Sequence, residues 1–251
     1  MTNLMNSNDL EVIKIAGAGS FQFSAIRPED LGATEYTLVT IVVDITGSVQ
    51  YFSSDLLKCV KQIVEACKKS PRAENLLIRI VTFNYCDNIQ ELHGFKLLSL
   101  IDPNDYKSFK CDGMTALFDA SYESIAATLT YSKSLIDQDY YCNGCIYIIT
   151  DGVDNNSKVA TKDMIKKKLL ESTKNEVIES LITVLIGINT TDDECKKFLE
   201  KFKNDSDLTQ YVDVGEATPQ KLAKLAGFVS KSISSTSQAL GTGTASQPLI
   251  F

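Results

Sequence analysis

The residues of this chain best suited to chemistry fall in three short stretches. Asp44-Ile45-Thr46-Gly47-Ser48 carries a carboxylate and two hydroxyls at alternate positions, Asp112-Gly113-Met114-Thr115 ends in a further hydroxyl, and Asp151-Gly152-Val153-Asp154 begins with a second carboxylate. All are hard oxygen donors, which suit a small octahedral cation such as Mg²⁺ and disfavour soft metals. Residues 44, 46 and 48 of a turning loop can face one point, while Gly47 lets the backbone pass tightly. The candidate ligands are therefore Asp44, Thr46, Ser48, Thr115 and Asp151, with one coordination position left for a carboxylate from outside. Mg²⁺ is the expected ion, with Mn²⁺ or Ca²⁺ as alternatives.

Other chemistries fit less well. An aspartate after a buried strand also suits phosphotransferases of the haloacid-dehalogenase type, but these need a second aspartate two residues on, where Thr46 stands. Cys142-Asn143-Gly144-Cys145 has a zinc-like spacing without a second pair, and Cys86 and Cys111 would have to converge from separate loops. Cys145 reads instead as a small core thiol. Gly17-Ala18-Gly19-Ser20 lacks the lysine of a phosphate loop. His93, the single histidine, lies in an alternating run near a turn and reads as a surface or edge residue, so histidine-based catalysis has little to work with. Asp119 and Asp154 read as groups orienting water beside the site. Lys162, Lys166, Lys167 and Lys168 read as the solvated face of a helix.

Positioning these loops requires particular elements. Tyr36 to Asp44 and Cys145 to Thr150 are buried strands, each closed by an aspartate at its end or just beyond it. Ser53 to Lys69 has helical spacing, with Ser53 or Ser54 as N-cap and Pro71 beyond it. Leu76 to Phe83 and Ile89 to Phe95 are joined by a turn through Tyr85 and Asp87, too short for a parallel return, so they pair antiparallel. Helices are expected over Thr115 to Leu135, Thr161 to Thr173, Asp192 to Lys203 and Pro219 to Ile233, and strands over Leu181 to Ile188 and Tyr211 to Val214. This alternation predicts an α/β fold: a doubly wound, mostly parallel, Rossmann-like sheet with one antiparallel edge strand and helices on both faces. Ligands of such sheets bind at the carboxyl ends of central strands, where the winding reverses. Residues 1–35 form an N-terminal extension whose short strands, Glu11 to Ile15 and Phe21 to Ala25, add to the main sheet. Residues 36–235 form the domain. Residues 236–251 form a Ser/Gly/Thr-rich tail whose terminus, Leu249 to Phe251, can dock on the body.

Composition narrows the setting. In 251 residues, 44% are apolar and 23% charged, enough for one sizeable core, and disorder is excluded. A net charge of −7 opposes phosphate backbones, so no nucleic-acid partner is expected. No stretch is apolar for long enough to span a bilayer, and no membrane role is expected. Seven cysteines, mostly inside apolar runs, suit reduced thiols in the cytoplasm.

The three motifs, in this order, resemble the von Willebrand factor A (VWA) family and its metal-ion-dependent adhesion site (MIDAS). The family's D-x-S-x-S corresponds to Asp44-Ile45-Thr46-Gly47-Ser48, its loop threonine to Thr115, and its later aspartate to Asp151. Thr46 replaces the usual middle serine, and Met114 a glycine common before the loop threonine. The resemblance covers roughly residues 36 to 235. It implies a non-enzymatic, cation-dependent protein-interaction module in which Ser and Thr hydroxyls bind the ion, aspartates act directly or through water, and a partner's Asp or Glu completes the shell. It further implies a bacterial or phage cytoplasmic type, in systems that pair such a domain with an AAA-type ATPase or with kinase and phosphatase partners. The alternative is a structural or assembly subunit that keeps the fold and does not use metal.

Overall fold

The two apolar runs that lead to the candidate aspartates become the centre of the sheet. Strand β3 (Glu35–Asp44) lies between β4 (Leu76–Phe83) and β6 (Tyr141–Thr150), parallel to both. A computed structural model describes residues 10–15, 21–84, 89–174, 176–190 and 192–251. The stretch Gly17 to Ser20, the turn through Tyr85 and Asp87, and Cys86 lie outside the described residues. Beyond β6, β7 (Leu181–Ile188) and β8 (Gln210–Gly215) continue the parallel sheet. On the other side, β5 (Ile89–Leu97) runs antiparallel to β4. The hairpin of β1 (Leu10–Lys14) and β2 (Gln22–Ile26) then adds outside β5, giving the order β1-β2-β5-β4-β3-β6-β7-β8. Strand β2 pairs parallel with β5 and antiparallel with β1, so the sheet is mixed beyond β4 and the N-terminal strands join it as expected.

Period-2 alternation sends β3 side chains into two cores. Val39, Ile41 and Val43 pack with α1 (Ser53–Cys67) and α5 (Pro219–Thr242), whereas Leu38 and Val42 pack with α2 (Leu117–Ile136), α3 (Lys162–Lys174) and α4 (Asp193–Asp205). Among the described residues no helix is long and apolar enough to cross a membrane.

Two element boundaries and one helix cap depart most from expectation. Strand β6 starts at Tyr141, because Asn143 accepts a 2.8 Å hydrogen bond from Thr37 and Gly144 leaves room for Ile178 and Leu181, whose nearest atoms lie 3.0 Å from where a Cβ would sit. Helix α1 has no serine N-cap, since the 3₁₀ helix Gly47–Phe52 runs directly into it. Helix α5 continues past Ile233 to Thr242, where Gly243 closes it at φ +66°. Two bonds tie the Ser/Thr-rich stretch to the body: the Thr236 main-chain carbonyl accepts from Asn143 at 2.7 Å, and the Ser237 hydroxyl accepts from Arg72 at 3.1 Å. The terminus docks as expected, with Leu249 and Phe251 against the core and Lys224 over the Phe251 ring, while Ile250 is exposed.

Within the second core sits a charge that hydropathy gave no sign of. Arg79 of β4 is 0% exposed. Its Nε donates to Glu91 of β5 at 2.6 Å, and its two Nη atoms donate to Glu123 of α2 at 2.6 and 3.1 Å. Phe23 and Phe95 flank the guanidinium, and Glu91 also accepts from the Ser24 hydroxyl of β2 at 2.5 Å. Burial opposes the Arg79 charge, but the two glutamates outweigh it and raise its pKa; burial pushes the Glu123 carboxyl up, and Arg79 offsets part of that. Removing one partner leaves an uncompensated buried charge. Arg79→Met should therefore cost about 3–5 kcal/mol in urea unfolding. Adding Glu91→Gln and Glu123→Gln should recover part of this loss, and an unchanged urea midpoint for Arg79→Met would contradict the assignment.

His93 is a correction. It is buried in β5, which β2 makes an interior strand, and its ring stacks on Tyr106 with centroids 5.7 Å apart. Its Nδ1 donates to the Gly94 carbonyl at 2.9 Å, so Nε2 accepts from the Tyr106 hydroxyl at 2.7 Å. Burial, together with the charges of Lys96 and Arg79, lowers its pKa to about 4. The unfolded chain takes up this proton below about pH 6.5, but the fold does so only below about 4. The contribution of neutral His93 is thus complete above pH 6.5 and is lost as pH falls toward 4. In urea titrations over that window, wild type should lose up to about 3 kcal/mol more than His93→Gln. Parallel pH profiles would contradict this.

Candidate metal centre

Asp44 ends β3, fully buried, at the point where the sheet's winding reverses between β3 and β6. One carboxylate oxygen accepts the Thr46 N–H at 2.9 Å, and the other accepts the Thr150 hydroxyl at 2.6 Å. Ser48 donates to Asp151 at 2.9 Å, and Thr46 donates to Ser48 at 3.2 Å. Four of the five expected residues thus form one hydrogen-bonded chain. The Thr115 hydroxyl lies beside Gly152, 3.7 Å from where a Cβ would sit there. Backbone bonds tie the first two loops together: Asp112 N–H to the Ile45 carbonyl at 3.1 Å, and Gly47 N–H to the Gly113 carbonyl at 3.3 Å. Gly113 stands at φ +79°, a left-handed conformation that glycine adopts without strain.

The third loop is fixed by an exchange of caps. Ala116, at the N-cap of α2, offers no side-chain acceptor. Two first-turn N–H groups are met instead from the loop after β6, where Asp154 accepts from Phe118 at 3.1 Å and Ser157 from Asp119 at 3.0 Å, and just ahead of the helix Asn155 accepts from Thr115 at 2.8 Å. Asp119 in turn accepts the N–H groups of Lys158, Val159 and Ala160 at 2.9, 3.0 and 2.6 Å. Asp119 and Asp154 were expected to orient water; they are loop clasps. Thr150 and Asn155, which hold Asp44 and Thr115, were not singled out by the sequence, since a strand-end threonine and a loop asparagine carry no signal alone.

Burial, and then the charge of Asp151, push the Asp44 carboxyl up to about 7 against the hydrogen bonds of Thr150 and Thr46. Burial also raises Asp151. Among the described residues neither carboxylate is ion-paired with a lysine or arginine. The donor set of two carboxylates and three hydroxyls fits a hard divalent cation. No cluster of three or more His, Cys, Asp or Glu suited to a metal occurs among the described residues. Cys142 and Cys145, three apart on β6, point into opposite cores and cannot hold one ion, and burial pushes both thiols up to about 12. The described cysteines are all unpaired.

No protein-family model matches the sequence, and no curated protein matches it. Solved structures do share its fold. The vWF domain of the type V pili tip protein Mfa5 from Porphyromonas gingivalis is similar at TM-score 0.53 and 11% identity, over 88% of this chain and 99% of that one. The PilB minor pilin of Streptococcus sanguinis is similar at TM-score 0.57 and 13% identity, over 86% and 65%. Proximal thread matrix protein 1 from the mussel byssus, solved with a zinc-occupied MIDAS motif, is similar at TM-score 0.50 and 16% identity, over 80% and 46%. The chain spans about a third of the pilus adhesin SpaC from Lactobacillus rhamnosus GG and under two thirds of PilB. The chain has a VWA-like fold.

Because Asp119 receives three N–H groups from one loop, Asp119→Ala should destabilise the protein by about 2–3 kcal/mol. It should also open the Lys158–Val159 bond to trypsin. Wild-type resistance to limited proteolysis in the variant would contradict the clasp.

Proposed function

We propose that this chain is a divalent-cation-dependent protein-interaction module. Asp44, Thr46, Ser48, Thr115 and Asp151 would hold Mg²⁺, or Mn²⁺ or Ca²⁺ in its place. The observation that carries the reading is two buried or half-buried carboxylates, joined through Ser48 and surrounded by hydroxyls, with no lysine or arginine ion-paired to them among the described residues. Such an arrangement leaves negative charge for a cation to neutralise. When bound, the ion supplies an electrostatic anchor for an Asp or Glu carboxylate of a partner protein, and the chain's own residues bind and orient without altering covalent bonds. Unpaired thiols with raised pKa values suit a reducing, cytoplasmic setting. A bacterial or phage system with an AAA-type ATPase or kinase and phosphatase partners is the context that the motif resemblance suggests.

Within this reading Thr150 is a positioning residue. Calorimetry should show Mg²⁺ binding by wild type, and none by Asp151→Asn combined with Ser48→Ala. Thr150→Val, which frees one oxygen of Asp44 without touching the ion, should weaken affinity about 10- to 100-fold with an unchanged circular dichroism spectrum. Absence of binding by wild type at millimolar Mg²⁺ would overturn the cation reading and favour a metal-independent scaffold. Unaltered affinity in Thr150→Val would overturn only the positioning role.

A further inference from the structure

Each of the three site loops carries one large apolar side chain turned to solvent. Tyr51 is 95% exposed, Met114 44% and Val153 36%. Their proximity to the site follows from the backbone. Tyr51 lies three residues after Ser48 in the 3₁₀ helix Gly47–Phe52, where side chains at i and i+3 eclipse one another, so Ser48 and Tyr51 share the outward face. Val49 and Phe52 of the same turn are buried and fix its orientation. Met114 sits between Gly113, whose carbonyl accepts from Gly47, and Thr115. Val153 follows Gly152, which lies against Thr115. The three side chains therefore stand on the same three loops as the hydroxyls and carboxylates.

Resting on the cation reading above, we propose that these three side chains form a ring about the site and recognise a partner segment in which the acidic residue is flanked by large apolar side chains. An acid on a wholly polar segment would meet the ion but leave Tyr51, Met114 and Val153 in water. Burying them adds affinity that a bare carboxylate cannot supply. Tyr contributes broad contact area at low entropic cost, and Met adapts its shape to the facing side chain. The chain's net charge of −7 disfavours further acids in the flanks.

Synthetic peptides displayed at high density on a sensor surface test this. One set carries a central aspartate between two phenylalanines or leucines, a second places it between serines, and a third replaces the aspartate by asparagine between phenylalanines. In Mg²⁺ the full-length protein should prefer the first set to the second by about tenfold. It should ignore the third, and EDTA should abolish binding. Tyr51→Ser with Met114→Ser should erase the preference, and Mg²⁺ calorimetry on the same variant reads the cation site separately. Metal-dependent binding that is equal for apolar and serine flanks, or Mg²⁺ binding with no peptide retained, would overturn the ring proposal and leave the cation reading intact. Binding to the first and third sets alike, surviving EDTA, would overturn both. Self-association lost in the double variant would assign the ring to a second copy of the chain and overturn the peptide proposal.

Discussion

Helix α2 begins without a cap of its own, and the geometry of the candidate site depends on how that deficit is met. The opening N–H groups of any helix need acceptors from elsewhere. Here Asn155, Asp154 and Ser157 supply them from the loop that follows β6, and Asp119 returns the favour to residues 158–160. Neither partner can move away without stranding polar groups of both. Thr115 stands two residues before the helix and Asp151 opens the loop, so their separation is set by this exchange. The parallel pairing of β3 with β6 does the same for Asp44 and Thr150. Oxygens from three loops meet because backbone hydrogen-bonding leaves them little alternative.

Two buried carboxylates in this fold are handled in opposite ways. Glu123 faces a guanidinium in a bidentate pair that Glu91 completes, so the charges close on themselves. Asp44 has hydroxyl and N–H donors only, with Asp151 nearby as a second negative group. A closed buried pair is close to neutral for stability and ties β2, β4, β5 and α2 to one arrangement. An open one costs stability that hydrogen bonds offset in part. Natural sequences keep such local deficits mainly where function needs them, which is why Asp44 and Glu123, equally buried, carry different meanings.

How much of this was legible in the sequence depends on whether a signal was local. The β-branched runs of β3, β4, β6 and β7 and the D-x-T-x-S stretch announce themselves, because strand burial and donor chemistry are written in adjacent residues. The neighbours of β5 are not: nothing near His93 says that residues 22–26 return to pair with its strand or that Tyr106 will stack on its ring, and so a buried imidazole looks like an edge residue. Arg79 inside LLIRIVTF gives no hint that glutamates 12 and 44 residues away will neutralise it. The second half of α5 was hidden by its composition, since Ser and Thr compete locally with helix, and the bonds that tie the segment down, from Asn143 to the Thr236 carbonyl and from Arg72 to Ser237, come from far along the chain. The opposed directions of Cys142 and Cys145 could have been read, because an odd spacing on a strand places two side chains on different faces.

On the proposed reading, the overall charge and the site work at different ranges. Screening at physiological ionic strength confines electrostatics between exposed charges to about 8–10 Å. The acidic surface therefore slows the approach of an acidic partner only weakly, and what holds the complex acts at contact. A cation between two carboxylate groups is such an interaction, and so is the burial of Tyr51, Met114 and Val153. The two are complementary: the cation fixes where one carboxylate must sit, and the apolar ring responds to what flanks it. A bare ion would accept any accessible acid, including carboxylates of small metabolites, whereas a bare apolar ring would accept any hydrophobic segment. Specificity arises where both conditions must be met within one short stretch of chain, and the three loops place both kinds of group side by side.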